Sequence, residues 1–333
     1  MTGSGPAVVA FGGGHGLFAS LSALRKVTQR LTAVVTVADD GGSSGRLRRE
    51  LGVLPPGDLR MALAALCDDD EWGRTWSEVI QHRFRSHGEL HGHAVGNLLI
   101  VALWELFADH HDSHSTVAGL DWVARLLKAR GRVLPMASVP IDIAAEVEGA
   151  DPTRPHEVSV VLGQVACAST PGKVRGISLI PPDPPTCPEA VAAIEDADWV
   201  VLGPGSWFTS VLPHLKVPDL ARALTTTRAR RLVALNLAPQ PGETDDFSPQ
   251  AHLEVLQAHA PDLRIDVVLA ERTVVDDAPA LEKAVGALGG TLVLTDVATG
   301  DGAPKHDPER LGQAFAQIFS SRDLTDGNRR DCR

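Results

Sequence analysis

The chain has 333 residues, which is enough for two ordinary domains or one large α/β domain. Its 31 basic and 42 acidic residues give a net charge of −11, which argues against general binding to nucleic-acid phosphates, because that binding needs a basic face. The longest apolar stretch, Leu98–Trp104, is far shorter than the roughly 20 residues that span a bilayer. We therefore expect neither a nucleic-acid partner nor membrane insertion.

The cysteines and the N-terminal segment indicate the cellular compartment in which the protein is expected. Four widely spaced cysteines form no C-x-x-C pair, which favours a reducing environment and argues against a disulfide framework or a zinc finger. The N-terminal segment has no basic stretch followed by an apolar one, as a secretory signal would. These features predict a cytoplasmic globular protein.

Short β-like runs alternate with helical segments in the first part of the chain. Ala7–Phe11 is followed by a glycine-rich turn and an amphipathic helix, Leu17–Val27. The second β-like run, Leu31–Ala38, leads into a polar loop, Asp39–Arg46. Further helices are predicted at Asp58–Cys67, Thr75–Phe84, Gly96–Phe107 and Leu120–Ala129. This alternation is typical of a parallel sheet with helical crossovers.

The middle of the chain has successive β-like runs with no long helix between them. These runs are Val133–Pro135, Ile141–Val147, Val158–Val165 and Val174–Leu179. We expect a mixed or antiparallel portion here, packed on the main sheet. The alternating pattern resumes with Trp199–Leu202, Leu232–Leu237, Val267–Leu269, Thr291–Val297 and a last helix, Pro308–Phe319. The prediction is one α/β domain over residues 1–322, with a mainly parallel sheet flanked by helices, and a disordered tail at 323–333.

A glycine-rich loop lies between the first strand and the first helix. It consists of Gly12, Gly13, Gly14, His15 and Gly16. Glycines let the backbone approach a ligand, and the start of a helix offers unpaired N–H groups to an anion. The spacing Gly14-x-Gly16-x-x-Ala19 also fits a loose dinucleotide fingerprint, with Asp39 and Asp40 where such sites place a ribose-binding acid. The loop is a candidate phosphate or dinucleotide site, and the alternative is a tight strand–helix turn.

Two carboxylates, Asp39 and Asp40, begin the polar loop after the second strand. They are suited to Mg²⁺ or to sugar hydroxyls. The rest of the loop supplies amides, hydroxyls and a guanidinium that suit a phosphate: Gly41, Gly42, Ser43, Ser44 and Arg46. Asp58 is a third candidate carboxylate. The alternatives are a solvated turn for the loop and a helix cap for Asp58.

A second glycine- and hydroxyl-rich loop follows the strand Trp199–Leu202. Its candidate residues are Gly203, Gly205, Ser206, Thr209 and Ser210. Two such loops at the carboxyl ends of parallel strands predict a crevice at a topological switch point. Weaker candidates are Asn97, Asn236 and Lys305, for which a helix cap or a surface loop is the alternative.

Two groups of histidines loosely resemble metal sites. They are His87, His91 and His93, and His110, His111 and His114. Neither group has the cysteine or acid pattern of a zinc site, so we expect solvated loops.

Longer motifs resemble those of the YvcK-type gluconeogenesis factors. The main signature is the string VTVADDGGSSGRLR at Val35–Arg48. The accompanying motifs are Pro55–Arg60 (PPGDLR), Gly96–Leu98 (GNL), Gly203–Ser206 (GPGS), Gln240–Thr244 (QPGET) and His306–Pro308 (HDP). They occur in the family's order along nearly the whole chain. One departure is His15, which stands where many members have threonine.

The resemblance implies a CofD-like, Rossmann-type fold, in a superfamily that includes 2-phospho-L-lactate transferase. That enzyme joins a phospholactyl group from a guanosine-diphosphate-activated donor to a deazaflavin. Its metal-binding aspartates look like Asp39 or Asp40 and Asp58 here. The YvcK-type branch is instead associated with UDP-sugars such as UDP-N-acetylglucosamine, with carbon-source use, and with cell-wall integrity and cell shape. No established turnover reaction comes with that branch.

Three functions remain open from the sequence. The first is a cytoplasmic regulator that binds a nucleotide sugar, with the two glycine loops on the diphosphate and Asp39 and Asp40 on ribose or Mg²⁺. The second is a metal-dependent transferase that uses a nucleotide-diphosphate-activated donor. The third is an NAD-binding protein. We also expect a homo-oligomer.

Overall fold

The computed structural model describes residues 5–108, 115–240, 243–244 and 247–321. Its strands are β1 Ala7–Gly12, β2 Arg30–Val35, β3 Arg132–Pro135, β4 Asp142–Glu148, β5 Val158–Leu162, β6 Lys173–Ile180, β7 Trp199–Leu202, β8 Arg230–Ala234, β9 Val267–Glu271 and β10 Thr291–Thr295. Its α-helices are α1 Gly14–Leu24, α2 Gly42–Leu51, α3 Gly57–Ala65, α4 Glu71–Gln81, α5 Val95–Ala108, α6 Ser115–Leu127, α7 Gln164–Ser169, α8 Pro188–Glu195, α9 Pro218–Thr226, α10 Pro249–His259, α11 Ala278–Ala287 and α12 Pro308–Ser320. A π-helical turn spans Trp207–Val211, and 3-10 turns span Leu212–Lys216 and Arg272–Val274.

Within the described residues, seven strands form a parallel sheet in the order β10-β9-β8-β7-β1-β2-β3. From β1 the chain builds the sheet outwards through β2 to β3, and then returns to build the other half from β7 to β10. The carboxyl ends of β1 and β7 therefore flank a topological switch point, where the two connections diverge and leave a crevice. This confirms the predicted Rossmann-like, mainly parallel sheet flanked by helices.

The central strand shows why this sheet is stable. Val8, Val9, Ala10 and Phe11 of β1 are all buried, as expected for a parallel strand covered by helices on both faces. Helix α1 packs between α3 and α12 on one face. The core thus holds the carboxyl ends of β1 and β7 rigidly at the crevice.

The inserted β portion is a separate antiparallel sheet in the order β5-β4-β6. This confirms the antiparallel prediction for three of the four middle runs. The expectation for Val133–Pro135 is wrong, because this run is β3, an edge strand of the main sheet that is parallel to β2. Its buried apolar side chains extend the main core after α6. The run Val158–Val165 also ends early, at Leu162, because Gly163 turns the chain with φ +94° into α7.

The predicted polar loop Asp39–Arg46 is wrong in its second half, where α2 begins at Gly42. Gly41 has the extended backbone of an N-cap, and Gly45 packs so closely that a Cβ there would lie 1.9 Å from the carbonyl oxygen of Asp40. The serines and the arginine of this segment therefore project from the first turns of a helix. The short loop that remains, residues 36–41, lies at the carboxyl edge of the sheet.

Some predictions concern segments that the structure describes differently or leaves out. The predicted strands Leu31–Ala38 and Leu232–Leu237 run three residues past the ends of β2 and β8. The proposed tail at 323–333 and the histidines at 110, 111 and 114 lie outside the described residues. In the part of the chain that the structure describes, no helix is both long and apolar enough to cross a bilayer.

Candidate functional site

A cleft of about 360 Å³ opens at the switch point between β1 and β7. Four segments line it: the glycine loop after β1, the hydroxyl-rich loop after β7, the loop after β8, and helix α7 of the small sheet. The lining residues are Gly13, Gly14, His15, Gly16, Gln164, Val165, Ala168, Gly205, Ser206, Thr209, Ser210, Gln240 and Glu243. The structure thus brings the two sequence-predicted glycine loops together, as expected from their positions at the ends of neighbouring parallel strands.

Two glycines of the first loop are required by close packing. A Cβ on Gly16 would lie 2.2 Å from the carbonyl oxygen of Pro204 and 2.5 Å from the Cα of Gly205, so the two loops touch through bare backbone. A Cβ on Gly13 would lie 2.5 Å from Oδ2 of Asp58. Gly14 has φ +54°, in the left-handed region that favours glycine. The loop is therefore more than a generic turn, because it is shaped by its contacts with both neighbouring loops.

Helix α1 presents its N-terminus to the cleft. The helix begins after Gly13 without a side-chain cap, and His15 and Gly16 of its first turn line the cleft. First-turn amides lack partners within the helix and carry the positive end of the helix dipole. The Gly14 amide already donates to the Asp58 carboxylate. This geometry suits a bound anion such as a diphosphate.

The second loop is held by Asn236. The Gly205 amide donates to Oδ1 of Asn236 at 2.8 Å, and Nδ2 of Asn236 donates to the Gly205 carbonyl at 2.9 Å. The side chain of Asn236 is therefore a positioning group for the loop. Ser206 caps the π-helical turn by accepting a hydrogen bond from the Thr209 amide at 3.1 Å.

Glu243 is the main residue of this cleft that the sequence-predicted set does not include. It is only 6% exposed. Its carboxylate oxygens lie 2.6 Å and 2.5 Å from the Ser206 hydroxyl, and it also accepts from the Thr209 hydroxyl at 3.0 Å. Burial raises the pKa of Glu243, while these hydrogen bonds work in the opposite direction. Two hydroxyls of this predicted ligand-binding loop are thus hydrogen-bonded to a carboxylate of the chain itself.

Asp39 and Asp58 form a pair beside the first loop. Asp58 lies in the first turn of α3 and its pKa is raised to about 7, chiefly by burial and then by the negative charge of Asp39. A Cβ on Gly57 would lie 2.5 Å from Oδ2 of Asp39 and 2.3 Å from Oγ of Ser44. The structure therefore places Asp58 against the start of α1, and Asp39 and Ser44 against the start of α3.

Asp40 faces another part of the structure. Its Oδ1 accepts a hydrogen bond from the Val165 amide at 3.0 Å, and a Cβ on Gly163 would lie 2.2 Å from its Oδ2. The three predicted acids thus divide into a pair and a separate residue that holds the start of α7. Among the described residues, no group of three or more His, Cys, Asp or Glu side chains is arranged to bind a metal ion.

A buried polar chain connects the starts of α2, α3 and α5. Nδ2 of Asn97 donates to the Ser43 hydroxyl at 3.0 Å, and Nε of Arg60 donates to Oδ1 of Asn97 at 2.9 Å. Ser43 is also 3.0 Å from Nδ1 of His93. Burial and then the charge of Arg83 lower the pKa of Arg60 to about 10. Ser43 and Asn97 therefore join the starts of these helices, and neither residue lines the cleft.

Several other predicted residues lie outside the cleft. Arg46 donates to the backbone carbonyls of Glu89 and His91, at 3.1 Å and 2.6 Å. Lys305 lies in the turn after β10, close to Asp301. Of the first histidine group, His87 and His91 are exposed, whereas His93 is buried against Ser43 instead of lying in a solvated loop.

The sequence signal for the missed residues was present in two motifs. Glu243 belongs to the string QPGET, and Arg60 belongs to PPGDLR. Both strings follow strands or precede helices at the carboxyl edge of the sheet. A charged residue in such a short loop motif was the available signal, but only folding shows that both side chains are buried.

The fold and the switch-point cleft define a Rossmann-like α/β protein. A family model described as 2-phospho-L-lactate transferase CofD matches residues 8–293, so the chain belongs to the CofD family. A crystal structure of a UPF0052 family member from Bacillus halodurans has a TM-score of 0.81 and 32% identity, covering 93% of this chain and 98% of that one.

Curated relatives narrow the comparison within this family. The chain is 51% identical over 316 residues to the "Putative gluconeogenesis factor" of Mycobacterium leprae, covering 94% of this chain and 86% of the relative. It is 36% identical over 325 residues to the "Gluconeogenesis factor" of Listeria monocytogenes, covering 94% and 96%. These findings confirm the resemblance to gluconeogenesis factors inferred from the motifs.

Proposed function

We propose that the chain is a cytoplasmic regulator that binds a nucleotide sugar, such as UDP-N-acetylglucosamine, in the cleft between β1 and β7. In this proposal it acts on central carbon use, with effects on cell-wall integrity and cell shape. The observation that carries the binding step is the uncapped N-terminus of α1, which lines the cleft through His15 and Gly16. The names of the relatives support a role in gluconeogenesis.

The first loop provides the diphosphate position. Helix α1 has 11 residues, so its dipole is developed, and its N-cap residue Gly13 offers no side chain to the first-turn amides, of which that of Gly14 donates to Asp58. Gly14 lines the cleft, and a Cβ there would meet nothing within 4 Å, so backbone lies at the surface of the cleft at this position. A diphosphate needs several N–H donors at short distance and little room for side chains, and this loop meets both needs.

The remaining groups suit the polar parts of the ligand. Asp39 is a half-buried carboxylate next to the loop, and it can accept hydrogen bonds from ribose hydroxyls. Val165 and Ala168 of α7 provide an apolar wall opposite the glycines. The second loop contributes mainly the shape of its backbone to the cleft. Its hydrogen-bonding groups contribute less, because Asn236 and Glu243 already form hydrogen bonds with them.

Calorimetric titration with UDP-N-acetylglucosamine in the presence of Mg²⁺ tests this function, with NAD⁺ as the comparison ligand. We expect micromolar binding of the UDP-sugar. His15→Glu places a negative charge in the first turn of α1, where it stabilises the helix but repels a diphosphate, so binding should fall at least tenfold without loss of stability. The neutral variant His15→Gln is the matched control.

The two other outcomes are equally informative. No heat from the UDP-sugar at millimolar concentration contradicts the proposal. Tight binding of NAD⁺ alone, with no UDP-sugar binding, favours the dinucleotide-binding alternative. Both ligands would occupy the same switch-point cleft, so the His15→Glu variant tests the binding site of either ligand.

A second function is favoured by the pair Asp39–Asp58. Two adjacent carboxylates with a nearby Ser44 hydroxyl fit the oxygen donors that Mg²⁺ prefers, with water supplying the remaining ligands. A bound Mg²⁺ would stabilise the charge that develops on the departing nucleoside monophosphate as the diphosphate linkage of the donor breaks, as a phospholactate-type transferase requires. Release of nucleoside monophosphate from an activated donor, dependent on Mg²⁺ and an acceptor and lost in Asp39→Asn, is the expected result for that function.

A further inference from the structure

A second cavity lies beside the switch-point cleft, at the carboxyl ends of β8 and β9. Its volume is about 310 Å³, at the lower end of the range for small-molecule sites. Asn236 lines this cavity and also forms two hydrogen bonds with Gly205, which lines the cleft. Pro239 lines the cavity as well, and the next residue, Gln240, lines the cleft. The loop after β8 therefore borders both spaces.

The walls of this cavity are largely apolar. The apolar lining includes Leu237, Pro239, Phe247 and Val274. The imidazole of His252 also lines the cavity and packs edge to face on Phe247, with ring centroids 5.3 Å apart. A second edge-to-face contact, with Trp207 at 5.4 Å, holds the same imidazole. The ring of His252 therefore has a fixed position in the cavity wall.

His252 brings an unpartnered hydrogen-bond acceptor to the cavity. The residue is only 5% exposed, and its Nδ1 lies 2.9 Å from the carbonyl oxygen of Ser248. A carbonyl can only accept, so Nδ1 carries the proton. Burial lowers the pKa of His252, so the ring is neutral at pH 7 and Nε2 keeps its lone pair. Among the described residues, this Nε2 has no hydrogen-bond partner.

Gln250 brings a second acceptor of the same kind. Its Nε2 donates to the carbonyl oxygen of Asp277 at 3.2 Å, whereas its Oε1 is buried without a partner in the part of the chain that the structure describes. Buried acceptors without a partner are costly, and a ligand that donates to them removes that cost. The cavity thus requires a ligand that donates hydrogen bonds from at least two positions.

A sugar ring meets this requirement better than a nucleobase does. Each sugar hydroxyl can donate, and the C–H groups of the ring can pack on the apolar wall. Uracil has a single ring N–H between two carbonyl oxygens, so its acceptors would face the acceptors of the cavity. Guanine would need a free carboxylate edge, but Oδ1 of Asp277 already accepts from the Ala280 amide at 2.9 Å.

We propose that this cavity holds the sugar ring of the nucleotide sugar, with His252 Nε2 and Gln250 Oε1 accepting hydrogen bonds from its hydroxyl groups. The assignment rests on the proposed binding of a nucleotide sugar in the cleft. It also orders the ligand along the sheet edge: ribose at Asp39 after β2, diphosphate at the start of α1 after β1, and sugar after β8. Neighbouring strands lie about 4.8 Å apart, so β8 is about 10 Å from β1, a span that suits a diphosphate joined to one sugar ring.

Calorimetric titration with UDP-N-acetylglucosamine and with UDP tests the assignment. His252→Phe keeps an aromatic ring but removes the acceptor. It should lower the affinity for UDP-N-acetylglucosamine about tenfold or more, because a sugar hydroxyl loses its buried partner. The affinity for UDP, which has no sugar at this position, should not change. Gln250→Met should have the same selective effect.

His259→Phe is the matched control. His259 lies on the same helix, and its Nδ1 is 2.9 Å from the Val255 carbonyl oxygen, which repeats the contact that His252 makes with Ser248. His259 does not line the cavity. This variant should leave both affinities unchanged, and thermal unfolding of the two histidine variants compares their stability.

The outcomes separate this assignment from the proposed function. If the wild-type chain binds neither UDP-N-acetylglucosamine nor UDP, the proposed function fails and the sugar assignment fails with it. If both ligands bind and His252→Phe weakens both equally, the cavity holds the nucleoside, and only the sugar assignment is overturned. Unchanged affinity for UDP-N-acetylglucosamine in His252→Phe also overturns it.

Nitrogen-15 NMR of the imidazole provides a readout that does not depend on a variant's stability. The wild-type signal of His252 Nε2, identified by its loss in His252→Phe, should move on addition of UDP-N-acetylglucosamine because Nε2 gains a hydrogen bond. UDP alone should leave it in place. A signal that does not respond to saturating UDP-N-acetylglucosamine would contradict the sugar assignment.

Discussion

The carboxylate of Glu243 lies within 2.6 Å of the Ser206 hydroxyl through both of its oxygens, at the wall of the switch-point cleft. This pair joins the loop after β8 to the loop after β7. The contact explains how the second glycine loop keeps its shape, and it leaves the first loop and α1 as the main anion position. The negative charge of Glu243 lies next to this anion position and is expected to weaken the binding of an anionic ligand.

Replacing Glu243 by glutamine is expected to strengthen binding of a nucleotide sugar several-fold. The variant removes a negative charge that would face the diphosphate, and like charges brought together oppose binding. It should also lower the free energy of unfolding by about 1–3 kcal/mol, because hydrogen bonds to a buried charged group are replaced by weaker ones. Calorimetric titration and chemical denaturation measure the two effects.

The matched control for this prediction is Glu254→Gln, at an exposed position on α10. It should change neither affinity nor stability. A Glu243→Gln variant that is less stable but has unchanged affinity would show that the carboxylate serves only to hold Ser206 and Thr209 in place.

Asp58 is expected to make the protein less stable as the pH rises. Its folded-state pKa of about 7 lies above the ordinary value of 3.8, mainly through burial, so the folded state binds the proton more tightly than the unfolded state does. The stabilisation is fully present below about pH 4 and is lost as the pH rises through about 7. The expected contribution is about 2–4 kcal/mol, from about 1.4 kcal/mol per pKa unit.

Urea denaturation at a series of pH values measures how the free energy of unfolding depends on pH and checks the prediction for Asp58. The Asp58→Asn variant should lose this part of the pH dependence, since its side chain does not titrate. Asp183→Asn, at an exposed position, should follow the wild-type curve. If Asp58→Asn keeps the same decline in stability between pH 4 and 7, another group is responsible.

Gly16 is expected not to tolerate alanine. The new Cβ would lie 2.2 Å from the carbonyl oxygen of Pro204, and a backbone atom moves less readily than a side chain. We expect a loss of about 1–3 kcal/mol in the free energy of unfolding, as for other overpacked sites. Binding of the ligand should fall as well, because the two loops must separate.

A glycine in open space provides the comparison. A Cβ added to Gly286, within α11, would have nothing within 4 Å, so Gly286→Ala should instead stabilise the chain by about 0.5–1 kcal/mol. Equal effects of the two substitutions on stability would contradict the close packing of the two loops.

Asp40 is expected to stabilise α7 and not to bind a ligand. Asp40→Ala removes the acceptor for the Val165 amide, and the loss of a helix cap costs about 0.5–2 kcal/mol. Hydrogen exchange should become faster in α7, while exchange in the β1–α1 loop should not change. Asp262→Ala, at an exposed site, should leave exchange in α7 unchanged. Unchanged protection of α7 in Asp40→Ala would contradict this role.

Local sequence patterns were sufficient to predict the parallel sheet and the position of the cleft. Apolar runs such as Ala7–Phe11 and Trp199–Leu202 lead directly into glycine loops, and the loops of neighbouring parallel strands meet at one edge. They were insufficient to assign Val133–Pro135 to the correct sheet, because a four-residue apolar strand has the same pattern in a parallel or an antiparallel sheet. They also missed the start of α2, since a glycine- and serine-rich segment has low helix propensity and becomes helical through packing of Leu47 in the core.

The sequence by itself determined the chemical types available at the carboxyl edge of the sheet: glycines, hydroxyls, paired acids and an amide. Only the tertiary structure decided which of them share a site. Asp39 and Asp40 are adjacent in the chain, yet Asp39 pairs with Asp58 and Asp40 holds the start of α7. The reason is that side-chain direction depends on backbone turns and on contacts between distant segments, which residue spacing does not encode.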